Sequence, residues 1–135
     1  DDALVIMGHG STEHPGDLAY VALDAVLRRR DARARLATVE DTLPFAAVLA
    51  EVQESKARRA WLLPLMSVAG DHAKNDLAGP EPESWASRLK AAGIEPVPLL
   101  RGLAAEPAVA AVWLDHLAAA LAEVEGEAKE GRHAQ

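Results

Sequence analysis

Three residues of types that bind first-row divalent metals recur at matching places: His9 in Gly8-His9-Gly10, Glu40 in Thr38-Val39-Glu40, and His72 in Gly70-Asp71-His72. Each follows a short apolar run: ALVIMG, ARLATV and WLLPLM. Two imidazoles and a carboxylate suit cobalt, iron, nickel or zinc better than magnesium or calcium. Three protein ligands leave coordination positions open for water or a substrate. Each residue alone has a plainer reading. The glycines could serve a tight turn while His9 bonds a carbonyl, Glu40 could be a solvated loop carboxylate, and Asp71 could cap a short helix from His72 to Gly79-Pro80. His14 reads as a loop residue, His116 as a surface or half-buried helix residue near Trp113, and His133 as part of the tail. What favours a metal site is that three ligand-type residues end three successive apolar runs.

Those runs read as buried strands, and the segments between them read as helices. Strands are expected at 3–8, 34–39, 60–68 and 95–100, the last an edge strand because of Pro96 and Pro98. Pro64 predicts a bulge or irregular ladder in the third. A helix is expected from about Asp17 to Arg30 with Leu18, Val21, Ala22, Ala25 and Val26 inward, and another from Pro44 to about Ser55. A third lies in SWASRLKAAG, closed by Gly93, and a fourth runs from about Glu106 to Val124 with a broad apolar face through Val109, Val112, Trp113, Leu117 and Leu121. Four βα units predict an α/β fold with a four-stranded parallel sheet flanked by helices. Ligands of such sheets bind beyond the carboxyl ends of the strands. A flavodoxin-like order 2-1-3-4 would put His9 between Glu40 and His72, on strands about 4.8 Å apart.

The 135 residues suggest one domain over 1–124. Residues 125–135 read as a flexible acidic tail, with Glu123, Glu125, Glu127 and Glu130 nearby and Gly126 and Gly131 breaking the helix. Net charge is −7. The basic cluster Arg28, Arg29, Arg30, Arg33 and Arg35 has no interleaved aromatics and sits at a helix end, which argues against nucleic acid. No run reaches the roughly 18–20 uninterrupted apolar residues of a membrane span, so no membrane partner is expected. Cysteine is absent, which excludes disulfides, thiolate ligands and a cysteine nucleophile. Asp1-Asp2 lead straight into an apolar run without an initiating Met, the pattern of a processed or partial chain.

The strings MGHG with TEHP close behind, TVE, and PLM.VAGDHAKNDLAG followed by SW resemble the anaerobic sirohydrochlorin cobaltochelatases, the class II chelatases of the CbiK type. The resemblance runs from about Ala3 to Leu121. It implies a two-domain enzyme of which this chain is similar to the C-terminal half, with the active site in the cleft between domains. The implied reaction is ATP-independent insertion of cobalt(II), as substrate metal, into sirohydrochlorin on the route to cobalamin, making the protein a lyase-class chelatase. It also implies His9, Glu40 and His72 as metal ligands. The sequence departs from the family pattern at Ser11, an apparent insertion, and at Asp41-Thr42-Leu43, where glycine and an aromatic are usual.

Metallating a tetrapyrrole removes two pyrrole protons, so His9 and His72 are expected to act as proton acceptors as well as ligands. Gly10, Lys74 and Arg101 are expected at the substrate, the two cations facing its carboxylates. An N-terminal chelatase domain or a second copy is expected to complete the cleft. The expected compartment is the cytoplasm, or the periplasm if a signal precedes residue 1. Iron or nickel could replace cobalt at such a ligand set. Two other readings stand beside this one: a metal-binding half-domain without turnover, and a metallohydrolase, which lacks a convincing general base or nucleophile elbow.

Overall fold

The computed structural model describes residues 2–11, 16–40 and 42–133, without the side chains of 17 and 127–133. Four strands, β1 (Asp2–Gly8), β2 (Ala34–Thr38), β3 (Arg59–Pro64) and β4 (Glu95–Pro98), form one parallel sheet in the order β2-β1-β3-β4. This is the α/β architecture and strand order expected. β1 is central and nearly all buried, in keeping with its unbroken apolar run. β4, with its two prolines, lies at the edge. Pro64 makes no bulge. It is the last residue of β3, which stops four residues short of the expected end, and the next amide, Leu65 N–H, donates to Met7 O at 2.7 Å. The missing proline donor is therefore placed where the ladder ends.

Helices α2 (Phe45–Glu54) and α3 (Trp85–Ala91) bury the sheet face formed by Ala3, Val5, Met7, Ala60 and Leu62. The Phe45 and Trp85 rings stack at 4.4 Å, and the Arg88 guanidinium lies 4.8 Å from the Phe45 ring centre. Gly93, at φ +77°, turns the chain out of α3, as expected.

Helix α1 (Asp17–Arg30) lies along β2, but not on the predicted stripe. Leu18, Val21 and Val26 are exposed, at 75%, 48% and 40%. The partly buried side is Tyr20, Leu23, Asp24 and Leu27. Asp24 explains the rotation: its carboxylate accepts from Leu36 N–H at 2.9 Å and pairs with Arg28, giving a polar group on the sheet side two partners.

The chain divides into two compact units, 1–102 and 103–135. The second unit consists of a 3₁₀ turn (Leu103–Ala105) and helix α4 (Pro107–His133). α4 continues through Gly126 and Gly131, so the expected tail is helical as far as His133. Its Val112, Trp113, Leu114, Leu117 and Leu121 are exposed rather than packed. Residues Pro107–Gly126 are long and apolar enough, by length and composition, to cross a membrane. Asp115 near the middle of that stretch would cost roughly 2.5–3.5 kcal/mol at a bilayer centre, which weighs against insertion.

Candidate metal and proton-transfer site

The carboxyl end of β1 is shaped by two glycines. Gly8 lets Tyr20 come close: a Cβ there would lie 2.5 Å from Tyr20 Cε1. Gly10 has φ +78°, and a Cβ on it would lie 2.9 Å from Thr38 Cβ. The ladder to β2 runs on past both strands, with Val39 N–H donating to Gly8 O at 3.0 Å and Glu40 N–H to His9 O at 2.9 Å. His9 and Glu40 are thus backbone neighbours, as the topology required. The loop after Glu40 folds back on β2: Thr38 N–H donates to Leu43 O at 2.9 Å, and Leu43 N–H to Thr38 Oγ1 at 2.9 Å. The Thr42 hydroxyl reaches Ser11 O at 3.3 Å, so both positions that depart from the family pattern take part in one contact.

Beyond β3 the chain passes very close to Gly102, where a Cβ would lie 2.5 Å from both Ser67 O and Val68 Cα. It then enters a π-helical turn, Ala73–Leu77. Asp71 and His72 are already helical, and no side-chain cap bond precedes the turn, so Asp71 does not take the capping role considered for it. Ala73 and Leu77 are fully buried and anchor one side of the turn, while His72 is half-buried and Asp76 exposed on the other. Ser84 locks the far end: its hydroxyl donates to Gly79 O at 2.7 Å and accepts Ser87 N–H at 3.1 Å, capping α3. π-helical turns frequently occur at functional sites.

The two ends meet. The His9 and His72 rings lie 4.9 Å apart, centroid to centroid, at 87°. His9 Nδ1 is 2.9 Å from Gly10 O, and His72 Nδ1 is 2.6 Å from Asp76 Oδ2. A carbonyl or an ionised carboxylate only accepts, so in each neutral ring the proton belongs on Nδ1 and the lone pair on Nε2. Two imidazoles with free Nε2 lone pairs can bind a first-row divalent ion or take up protons.

The expected trio of His9, Glu40 and His72 is not gathered into one group. Among the described residues, no three His, Asp or Glu side chains stand close enough together to hold a metal ion. The hydrogen bond to His9 fixes the Glu40 backbone, whereas the carboxylate lies at the end of three rotatable bonds. Gly10 lies in the loop beside His9. Lys74 is exposed on the π turn. Arg101 is exposed just past β4, its N–H donating to Leu99 O at 2.8 Å. His14 lies outside the described residues. Sequence reasoning missed Asp76, although His-x-x-x-Asp at helical spacing is a legible signal.

A cavity of about 230 Å³ opens at the opposite ends of the strands, lined in part by Asp2, Arg33, Arg35, Glu51 and Ser55. Its charges are taken up by ion pairs, which engage Arg28, Arg33 and Arg35 of the basic cluster. Arg33 pairs with Asp31, whose carboxyl is lowered to about 2 by that hydrogen bond. Arg28 holds Glu51 below its ordinary range, and Arg59 does the same for Asp2. Arg35 Nε lies 2.6 Å from Glu51 Oε2 but off the line of a hydrogen bond, so that contact is an ion pair without a directed bond.

Residues 1–122 match the family model described as cobalt chelatase (CbiK). The chain is 43% identical over 125 residues to the sirohydrochlorin cobaltochelatase CbiKC of Nitratidesulfovibrio vulgaris (strain Hildenborough), covering 93% of this chain and 44% of that protein. It is 38% identical over 120 residues to the sirohydrochlorin cobaltochelatase of Salmonella typhimurium LT2, covering 89% and 45%. The chain therefore spans less than half the length of these curated relatives. The fold resembles a crystal structure of a CbiX protein from Marinobacter aquaeolei VT8, with a TM-score of 0.73 and 15% identity, over 93% of this chain and 98% of that one.

Proposed function

Because this chain belongs to the cobalt chelatase (CbiK) family, we propose that it carries the metal-handling half of an ATP-independent insertion of cobalt(II) into sirohydrochlorin. The observation that carries this reading is the His9–His72 pair, held 4.9 Å apart on the segments that follow two adjacent strands, with both Nδ1 atoms engaged. Metal insertion needs a site that strips water from the ion and a base for two pyrrole protons. The two Nε2 atoms supply ligands first and proton acceptors afterwards. Glu40 is the third ligand: its backbone is already fixed beside His9, and rotation of its side chain brings an anion to offset the charge of the cobalt.

Sirohydrochlorin carries several carboxylates, and Lys74 and Arg101 are the cations offered to them. Gly10, whose missing side chain lets the Thr38–Glu40 segment close on the loop, lies beside His9 where the macrocycle would approach. His9 is exposed, so a single layer of strand ends leaves one side of the macrocycle in water. A further chelatase domain or a second copy of this chain supplies the opposite wall. Iron(II) and nickel(II) fit the same donors, so metal choice rests on geometry and supply.

Anaerobic incubation with sirohydrochlorin and cobalt(II), followed by visible absorbance, tests the reading. The expected result is formation of cobalt-sirohydrochlorin faster than in protein-free mixtures. Tight cobalt binding with no acceleration, in the presence of whatever completes the cleft, would reduce the protein to a metal-binding half.

A further inference from the structure

Building on the chelatase reading, we infer that Asp76 is a positioning residue that sets the tautomer and orientation of His72 and so keeps Nε2 of that ring available to the incoming metal. The two residues are four apart in sequence and joined at 2.6 Å, Nδ1 to Oδ2. An ordinary helix-surface pair of this kind is worth only a few tenths of a kcal/mol and would be incidental. This one sits in a different setting. It spans the π-helical turn Ala73–Leu77, whose inner side is fixed by the fully buried Ala73 and Leu77 and whose end is tied through Gly79 O to the buried Ser84. The turn therefore presents His72 and Asp76 together, with the His72 ring 4.9 Å from that of His9.

Metal-binding histidines commonly donate their other ring N–H to a carboxylate or carbonyl, which fixes the tautomer and raises ligand basicity. Both forms occur here. His9 uses the Gly10 carbonyl, which no substitution of a side chain removes, whereas His72 uses Asp76, which can be exchanged. A carboxylate is the stronger acceptor of the two and also adds negative charge beside the ring. Of the two imidazoles, His72 is therefore the one whose metal affinity depends on a neighbouring side chain.

The experiment uses the 135-residue chain with Asp76→Ala and Asp76→Asn, both at a half-exposed position where folding should survive. Two readouts are needed: the ¹⁵N shifts of the His72 ring without metal, and cobalt(II) affinity by calorimetry. The expected wild-type ring is protonated on Nδ1. Asp76→Ala releases it to a mixture of tautomers and weakens cobalt binding by about 10- to 100-fold, the usual loss when such a partner is removed. Asp76→Asn, whose amide oxygen still accepts, should lie between. An unchanged His72 tautomer in Asp76→Ala, or unchanged cobalt affinity, would overturn the inference while leaving the chelatase reading intact. Conversely, a wild-type protein that binds cobalt in the Asp76-dependent way yet never metallates sirohydrochlorin would sink only the chelatase reading.

Discussion

His9 and His72, 63 positions apart in sequence, stand edge to face with ring centres 4.9 Å apart. The parallel register brings them together. β1 and β3 are hydrogen-bonded neighbours, with Met7 opposite Pro64; His9 follows β1 directly, and His72 stands on the helical turn eight residues beyond β3. A pair held between the end of β1 and the turn after β3 is expected to act as one unit in metal binding.

The first prediction follows from that unity. His9→Ala and His72→Ala should each lower cobalt(II) affinity by at least the roughly 100-fold that marks the upper end of losses from groups that merely orient a ligand. The double variant should be little worse than either single one, because two residues acting together give strongly non-additive losses. Calorimetric titration measures this. A single variant binding cobalt as tightly as wild type would remove that residue from the ligand set.

Glu40 is a sharper case because its carboxylate is not gathered with the two imidazoles. If it closes on the metal, Glu40→Gln should weaken cobalt binding by about 10-fold, less than loss of an imidazole. X-ray absorption of the cobalt complex should then show two imidazoles with oxygen donors, and one oxygen donor should change between wild type and variant. Identical affinity and identical spectra would restrict the protein ligands to His9 and His72.

Much of this was legible in the sequence, and the failures have physical causes. The strand order and the two histidines at strand ends follow from short apolar runs and from the geometry of parallel sheets. α1 was rotated because periodicity counts apolar residues, whereas the sheet-facing side includes Asp24, which Leu36 N–H and Arg28 satisfy. The π turn was read as an ordinary short helix, because the buried Ala73 and Leu77 look the same in either winding. Asp76 is legible in the sequence only as His-x-x-x-Asp spacing, to which the fold adds the 2.6 Å contact between His72 Nδ1 and Asp76 Oδ2. The Glu40 backbone is hydrogen-bonded to His9, as the strand order requires, but topology says nothing about where a long side chain points. The apolar spacing of α4 predicts a broad apolar face, and Val112, Trp113, Leu117 and Leu121 on it are exposed.

The far pole of the sheet predicts a pH effect that is independent of the metal site. Glu51 sits below its ordinary value of 4.5, first because of its hydrogen bond from Arg28. A depressed carboxylate contributes stability that is present above the unfolded value and lost as pH falls through the folded one. Glu51→Gln should therefore be less stable than wild type near neutrality, with the gap constant down to about pH 5 and narrowing below the ordinary carboxylate range. Urea midpoints measured across acid pH give the comparison. A gap of the same size at the acid end would mean that Glu51 stabilises through something other than its charge.

Gly10 and Gly93 give a matched test of whether the loop beside His9 is built for close approach. Both have positive φ, +78° and +77°, so alanine at either pays the left-handed backbone cost of roughly 1–2 kcal/mol. They differ in space: a Cβ at Gly93 meets nothing within 4 Å, whereas one at Gly10 meets Thr38 Cβ at 2.9 Å and Glu40 Cβ at 3.3 Å. Gly10→Ala should therefore cost about 1–3 kcal/mol more than Gly93→Ala by urea unfolding, the range expected for overpacking. It should also weaken cobalt binding, because the neighbour forced to move is the Glu40 segment hydrogen-bonded to His9, while Gly93→Ala should leave affinity unchanged. Equal costs for the two variants would show that the Thr38–Glu40 segment yields freely. The loop would then not hold His9 and Glu40 in a fixed relation.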